Sequence, residues 1–507
     1  MDFYSIIAVL AFLIFLCACA SKLSSLLNMP CLLIFLGIGL LAGSEGIGGI
    51  DFDNASVANM IGSIAMAFIL FSGGFDTKWK DIRNVLSYGG VLSSLGVLLT
   101  ALFVGIFSYY FLQWQFPGRT ISFAWCFLLG SIISSTDAAA VFSILRSRSV
   151  SLKGELKPLL EFESGSNDPM AAFLTVFLLG IVTAEGSGSA SAPFREYIMI
   201  VPMFLLKMSL GIVCGYLIGR LSVWLFNKID FEYDGLYYVL AVGAVLFSFS
   251  FAEVVQGNGF MSVYVAGMVM GNRGFIYRNG VGRFYDGTAW LMQVILFAML
   301  GLLAFPTQIW QAKWIGLAVA LFLMFAARPL AVFLCMIRSR FSLKERLFVS
   351  WVGLRGGAPI MLATFPLMSN IANDNLMFHI VFFIVLTSVL IQGMTLMPFA
   401  RLLGLDAPLT SSPRIPLQFE ETGNLKETSR EFEIPRHSFA VGSAISGLGL
   451  PKGVLVLLIR RNNEFLLPQG DTCVASGDIL MLMGNSDLLE ITENMLSRKE
   501  KSILEIQ

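Results

Sequence analysis

The chain has 507 residues, of which 56% are hydrophobic and only 13% charged, with no net charge at neutral pH. A mean hydropathy of +0.76 over that length exceeds what a soluble core can bury, so the chain reads as a polytopic membrane protein. Zero net charge argues against a nucleic-acid partner, and two distant histidines, His379 and His437, argue against histidine catalysis or a histidine metal site.

The start, Met1-Asp2-Phe3-Tyr4, lacks the basic segment of a signal peptide, so the first apolar stretch is expected to be retained. Hydropathy predicts about thirteen spans, at 3–21, 29–43, 56–74, 85–113, 121–146, 157–184, 197–226, 234–254, 257–272, 287–305, 314–337, 345–368 and 378–404. Seven scattered cysteines form no C-x-x-C pair, and six of them fall within predicted spans as small packing residues. Alternate loops carry seventeen Lys and Arg residues, among them Lys78, Lys80, Arg83, Arg146, Arg148, Lys153 and Lys157, whereas the other set holds only Arg119, Arg195 and Lys313. The positive-inside rule then puts the N-terminus outside and the C-terminus in the cytoplasm, which needs an odd number of spans.

Spans five and twelve are interrupted by small and polar residues, Ser131 to Ala140 in one and Gly353 to Pro359 in the other. Such breaks, seven spans apart, predict an inverted repeat in which spans 1–6 match spans 8–13. Close packing through the glycines is the competing explanation.

The sixth span carries Glu163-Ser164-Gly165-Ser166-Asn167-Asp168 at bilayer depth, where ionisable groups usually line an ion path or pair with each other. On a helix Glu163 and Asn167 share one face, and Ser164 and Asp168 the next. Asp168, flanked by amide and hydroxyl oxygens, is the candidate to hold either a bare monovalent cation or a proton. Exclusive occupancy of one carboxylate, exposed alternately to the two sides, gives obligatory exchange. Thr136 and Asp137 on the broken fifth span can add a hydroxyl and exposed carbonyls, with Asp137 divided between orienting the break and touching the ion. Glu163 is expected to be a strut paired with Arg355 at the second break, against direct ion contact. Glu253, Lys207 and Arg328 rank below these, as helix-end or stabilising groups.

From Asp406 the composition changes. Pro408, Pro413 and Pro416 mark a linker. A small α+β domain follows, with a strand at Glu431–Ile434, a hairpin over Gly453–Leu467, a strand at Asp478–Met483 and a helix at Asp487–Leu496. The expected division is a membrane domain over 1–405, a linker over 406–426, a regulatory domain over 427–497 and a tail over 498–507. The run Gly447-Leu448-Gly449-Leu450-Pro451-Lys452-Gly453 fits neither a dinucleotide fingerprint nor a phosphate loop, and no cofactor is expected.

Asn167-Asp168, Thr136-Asp137 and the Gly353-Leu354-Arg355-Gly356 break together resemble the cation:proton antiporter-1 family. The tail, through Glu431-Phe432-Glu433-Ile434-Pro435, Ile459-Arg460-Arg461, Pro468-Gln469-Gly470-Asp471 and Gly477-Asp478, is similar to a TrkA-type C-terminal domain. A membrane core of this type joined to this tail is similar to the potassium/proton branch. The resemblance implies thirteen helices, a six-helix core moving against a dimerisation domain, and a homodimer in the inner membrane. It also implies that Asp168 binds the ion with Thr136 and Ser164 assisting, and that Glu163 pairs with Arg355. An Asn-Asp pair is associated there with electroneutral exchange, in agreement with the uncharged Asn167. Ala138 follows Asp137 where many members have proline.

The expected function is a secondary antiporter, not an enzyme, exchanging cytoplasmic K⁺ or Na⁺ for external H⁺, with a small ligand acting at the tail. The Na⁺/H⁺ antiporter of the same mechanism is one alternative. A ligand-gated cation channel is a second, although no filter-like carbonyl loop is present. An intramembrane aspartyl protease built on Asp137 and Asp168 lacks the flanking residues such a dyad would need.

Overall fold

The computed structural model describes residues 3–27, 30–117, 121–147, 150–186, 197–369, 371, 374–408, 428–435, 437–461 and 464–497. It contains two compact units, one holding the apolar helices and the other the C-terminal sheet. The expected tail at 498–507 and most of the expected linker lie outside the described residues.

Among the described residues, eight helices are long and apolar enough to cross a bilayer, and five shorter apolar helices accompany them. With the half-helices and short segments between them, the helices of this unit include, in chain order, α1 (Phe3–Leu27), α2 (Cys31–Ala42), α3 (Ala55–Asp76), α4 (Leu86–Gln115), α5 (Phe123–Ile132), α6 (Ala138–Ser147), α7 (Leu156–Gly186), α8 (Ile200–Lys228), α9 (Gly235–Val254), α10 (Gly259–Gly271), α11 (Arg278–Leu302), α12 (Lys313–Cys335), α13 (Leu343–Trp351), α14 (Gly357–Leu362), α15 (Thr364–Met368) and α16 (Asp374–Leu403). Their starts carry local signals. Asn54, Ser122 and Asn258 accept the third-residue N–H of α3, α5 and α10 respectively, and Ser342 with Glu345 forms a capping box on α13.

Lipid offers the backbone no partner, so each irregularity inside a span must be satisfied by protein. Two are π turns, Leu92–Gly96 within α4 and Leu323–Ala327 within α12. The other two are the α5–α6 break and the α13–α14 break. Each π turn sits one span before its break, and the two pairs recur in the same order, as an inverted repeat requires. Close packing through glycine also occurs. A Cβ on Gly267 or Gly271 of α10 would stand 2.4 or 1.9 Å from the carbonyl oxygens of Phe71 and Phe75 on α3.

The segment Asp406–Pro408, expected as the start of a linker, forms strand β2 and pairs antiparallel with β1 (Val150–Leu152). The C-terminal unit holds β3 (Thr428–Glu433), β4 (Leu455–Arg461), β5 (Glu464–Leu466) and β6 (Ile479–Gly484), in sheet order β3-β6-β4-β5, all antiparallel. Helix α17 (Ser486–Leu496) covers one face, where Leu489 and Leu496 join Val456, Ile459, Leu480 and Leu482 in a buried core.

Candidate ion site at the crossing of two broken helices

Helix α5 ends at Ile132 and α6 begins at Ala138; α13 ends at Trp351 and α14 begins at Gly357. The backbone groups freed between them find one another. The Asp137 N–H donates to the Leu354 carbonyl at 2.8 Å. Arg355 Nη1 donates to the carbonyls of Ser134 and Ser135 at 3.0 and 2.7 Å. The Arg355 N–H donates to Ser388 Oγ at 3.2 Å, and Gln392 Nε2 donates to the Trp351 carbonyl at 2.8 Å. A guanidinium with five donors suits a break that strands several carbonyls. Close approach is enforced at Gly356, where a Cβ would lie 2.0 Å from Asp137 Oδ2.

Helix α7 passes alongside the first break and joins it residue by residue. Ser164 Oγ donates to the Thr136 carbonyl and accepts from the Ala138 N–H, both at 2.9 Å. Asn167 Nδ2 donates to Thr136 Oγ1 at 2.5 Å. Ser135 Oγ donates to Asp168 Oδ1. Asp137 Oδ1 accepts from the Ala140 N–H at 3.1 Å, which makes Asp137 a cap of the half-helix α6. Asp168, Asn167, Ser164, Thr136 and Asp137 therefore stand together in one cluster. Ser135 belongs with them; its place beside Thr136 in the same polar run was the signal for it.

The expected pairing of Glu163 with Arg355 is corrected. The Glu163 carboxylate accepts from Arg328 on α12, and both side chains are buried. Arg355, also buried, is turned to the carbonyls of the first break instead. Carbonyls left unpaired in a dry interior compete strongly for an arginine, and α12 brings a second arginine to the carboxylate. Lys207 and Glu253 lie away from the cluster. The Lys207 carbonyl accepts from the Asn258 N–H, and Glu253 Oε1 accepts from the Gly259 N–H at 2.8 Å.

A cavity of about 420 Å³ reaches the cluster. Its carboxylate-bearing lining residues are Asp76, Asp137, Glu161, Asp168 and Asp286, and among the described residues no Lys or Arg lines it. Such a lining concentrates cations and repels anions. One wall comes from α2, α3, α10 and α11, the other from α6 and α7. Further along α3, beyond the cavity lining, the helix packs on α14 and α15, and Asn59 Nδ2 donates to Thr364 Oγ1 at 2.9 Å between buried side chains. Among the described residues no group of three or more His, Cys, Asp or Glu could hold a metal ion as a resident ligand set. Oxygen-rich surroundings without a resident ligand set suit a weakly held monovalent cation.

The family model for sodium/hydrogen exchanger, transmembrane, matches residues 9–402, and the TrkA-C domain model matches residues 430–497. The K(+)/H(+) antiporter NhaP2 of Shewanella sp. (strain MR-4) is 36% identical over 484 residues, covering 94% of this chain and 81% of that protein. The K(+)/H(+) antiporter NhaP of Alkalimonas amylolytica is 36% identical over 494 residues, covering 97% and 83%. Among solved structures, the sodium proton antiporter MjNhaP1 from Methanocaldococcus jannaschii superimposes with a TM-score of 0.67 at 24% identity, over 80% of this chain and all of that one. That likeness supports the fold of the helical unit.

Proposed function

This chain belongs to the sodium/hydrogen exchanger family and is a cation:proton antiporter, not an enzyme, and we propose that it extrudes K⁺ in electroneutral exchange for H⁺ at Asp168. The observation that carries the reading is the position of the Asp168 carboxylate. It lines the acidic cavity, accepts a hydrogen bond from Ser135, and sits where α7 meets the break between α5 and α6. One oxygen is held by the hydroxyl, which leaves the other to take a cation or a proton. Burial in a low dielectric makes a bare carboxylate costly, so one or the other must occupy it before the site can close.

Neutral Asn167 and the capping role of Asp137 leave Asp168 as the group in the cluster whose charge changes with occupancy. One cation then leaves for each proton that enters. Thr136, Asn167 and Ser164 hold the break against α7 and keep the carboxylate in place. Glu163 and Arg328 form the strut, with Arg355 closing the break.

The cavity is lined by the start of α2, the end of α3, the first half of α7 and the middle of α11, among others. The near ends of α2, α3 and α7 adjoin the segments rich in Lys and Arg, so the positive-inside rule supports a cytoplasmic mouth, an outside N-terminus and a state open to the cytoplasm. Potassium is favoured over sodium through the relatives matched over nearly the whole of this chain, which are named as K(+)/H(+) antiporters. The C-terminal domain acts as the regulator of a homodimer in the inner membrane, answering to a small ligand.

The test is fluorescence dequenching in everted vesicles, with KCl and NaCl added separately. Wild type exchanges both with K⁺ favoured, and Asp168→Asn exchanges neither. Exchange persisting in Asp168→Asn would remove the proposed mechanism.

A further inference from the structure

Helix α7 carries a proline, Pro169, immediately after Asp168 and well inside the helix. Proline has no N–H, so the carbonyl four residues earlier, that of Gly165, loses its helical donor. Among the described residues no donor from outside the helix reaches that carbonyl. The helix does not bend away from the cavity at this point. Glu161, Gly165 and Asp168, spaced at four and three, all line it.

Gly165 also has no side chain to cover its own carbonyl, and none could be added. A Cβ there would stand 2.3 Å from Cε2 of Tyr264, whose buried ring packs against the bare backbone. A carbonyl freed at bilayer depth costs free energy unless something meets it. The neighbouring oxygens are largely committed. The Thr136 carbonyl already accepts from Ser164, and one oxygen of Asp168 accepts from Ser135. Asn167 Oδ1, by contrast, is buried without a hydrogen-bond partner. The cluster thus has, within one turn of one helix, a carboxylate, a carbonyl relieved of its usual helical donor and a buried amide oxygen without a partner, hard donors of the kind that replace the hydration shell of an alkali cation.

We propose that the main-chain carbonyl of Gly165, freed by Pro169, is a ligand of the transported cation beside Asp168. Pro169 is then a positioning residue, acting on the ion through a hydrogen bond it fails to make. This rests on the reading of Asp168 as the carrier.

The test uses the full chain in everted vesicles at one fixed pH, with KCl and NaCl titrations of wild type, Pro169→Ala, Pro169→Gly and Asp168→Asn. Alanine and glycine pack differently but both return the N–H that would claim the carbonyl. The expected result is a rise of about tenfold in the half-saturating K⁺ concentration in both variants, the effect of losing one ligand contact, with the maximal rate little changed. Half-saturation does not depend on how much protein inserts, so poor expression of one variant leaves the result readable. Wild-type half-saturation in both variants would overturn the proposal, as would a fall in maximal rate with half-saturation unchanged, which marks a purely structural proline. Exchange by Asp168→Asn would sink the underlying reading instead, whatever the Pro169 variants do.

Discussion

Glu163 on α7 and Arg328 on α12 are joined carboxylate to guanidinium, with side chains 1% and 3% exposed. Arg355 lies within electrostatic reach of both. The buried set is thus one anion and two cations, and the three are not equivalent. Removing Glu163 leaves two guanidinium groups facing each other in a dry interior. Removing Arg328 leaves Glu163 beside Arg355, which has Nε and Nη2 unbonded and can turn to it.

Glu163→Gln should therefore destabilise the purified protein by about 3–5 kcal/mol, the cost of stranding a buried charge. Arg328→Met should cost clearly less, and Glu163→Gln with Arg328→Met together should recover part of the loss. Thermal unfolding in detergent ranks the three, and equal single effects would contradict the account.

At the crossing of the two breaks there is no room for a side chain on Gly356. The nearest atom to a Cβ on Gly356 is Oδ2 of Asp137, whose other oxygen caps α6 through Ala140. Gly356→Ala must push the carboxylate aside or open the crossing. Exchange in everted vesicles should fall by more than about tenfold, as expected when a site is displaced by around 1 Å. Gly90→Ala is the control: it sits within α4 with nothing inside 4 Å, should gain roughly 0.5–1 kcal/mol of stability, and should transport normally.

Much of this site could be read from the chain because polar residues in an apolar helix are conspicuous. Ser134 to Asp137 and Gly353 to Gly356 stand out for that reason, and the structure opens the helices there. Spacing alone puts Ser164 and Asp168 on one face of α7. The partner of Glu163 was not legible, because choosing between Arg328 and Arg355 depends on helix rotation and on where freed carbonyls fall. A donor count at the break would have pointed Arg355 to the carbonyls of Ser134 and Ser135. Nothing in the sequence marks Ser388 or Gln392, which sit on an unbroken helix and reach the second break from its side. Strands β1 and β2 escaped as well, since three residues carry too little pattern to be recognised.

Asn59 near the start of α3 and Thr364 at the start of α15 form a buried contact away from the cavity, whose lining on α3 begins at Ile69. An alternate state that opened the face opposite the cavity by separating α3 from α14 and α15 would break it, and with it the packing of Gly62 on Met361. Asn59→Ala should weaken the closed side by about 1 kcal/mol, close to a fivefold shift toward the oppositely open state. Met361 turned to cysteine on an otherwise cysteine-free chain provides the readout. Its modification by a membrane-impermeant thiol reagent added from the face opposite the cavity mouth should speed up severalfold in the Asn59→Ala background. An unchanged rate would mean that the seal lies elsewhere.

In the C-terminal domain the fork of Arg461 at the end of β4 grips Asp478, with Nε and Nη2 at 2.9 and 2.8 Å from the two carboxylate oxygens. The same Nη2 reaches the Cys473 carbonyl at 2.6 Å, and Asp478 Oδ2 accepts from the Ala475 N–H at 2.7 Å. One arginine thus pins the loop that leads into β6. Lysine keeps the charge but cannot supply two parallel bonds and a third to a carbonyl. Because the arginine is about a third exposed, Arg461→Lys should cost the domain only about 1 kcal/mol. Limited proteolysis of everted vesicles should nevertheless show faster cutting between Gly470 and Gly477, since local opening follows the bonds that hold the loop. With the ion site proposed at Asp168, the half-saturating K⁺ concentration should stay at its wild-type value. If that value moved together with the proteolysis rate, the loop would be coupled to the proposed ion site, and the regulation proposed for the domain would run through Arg461.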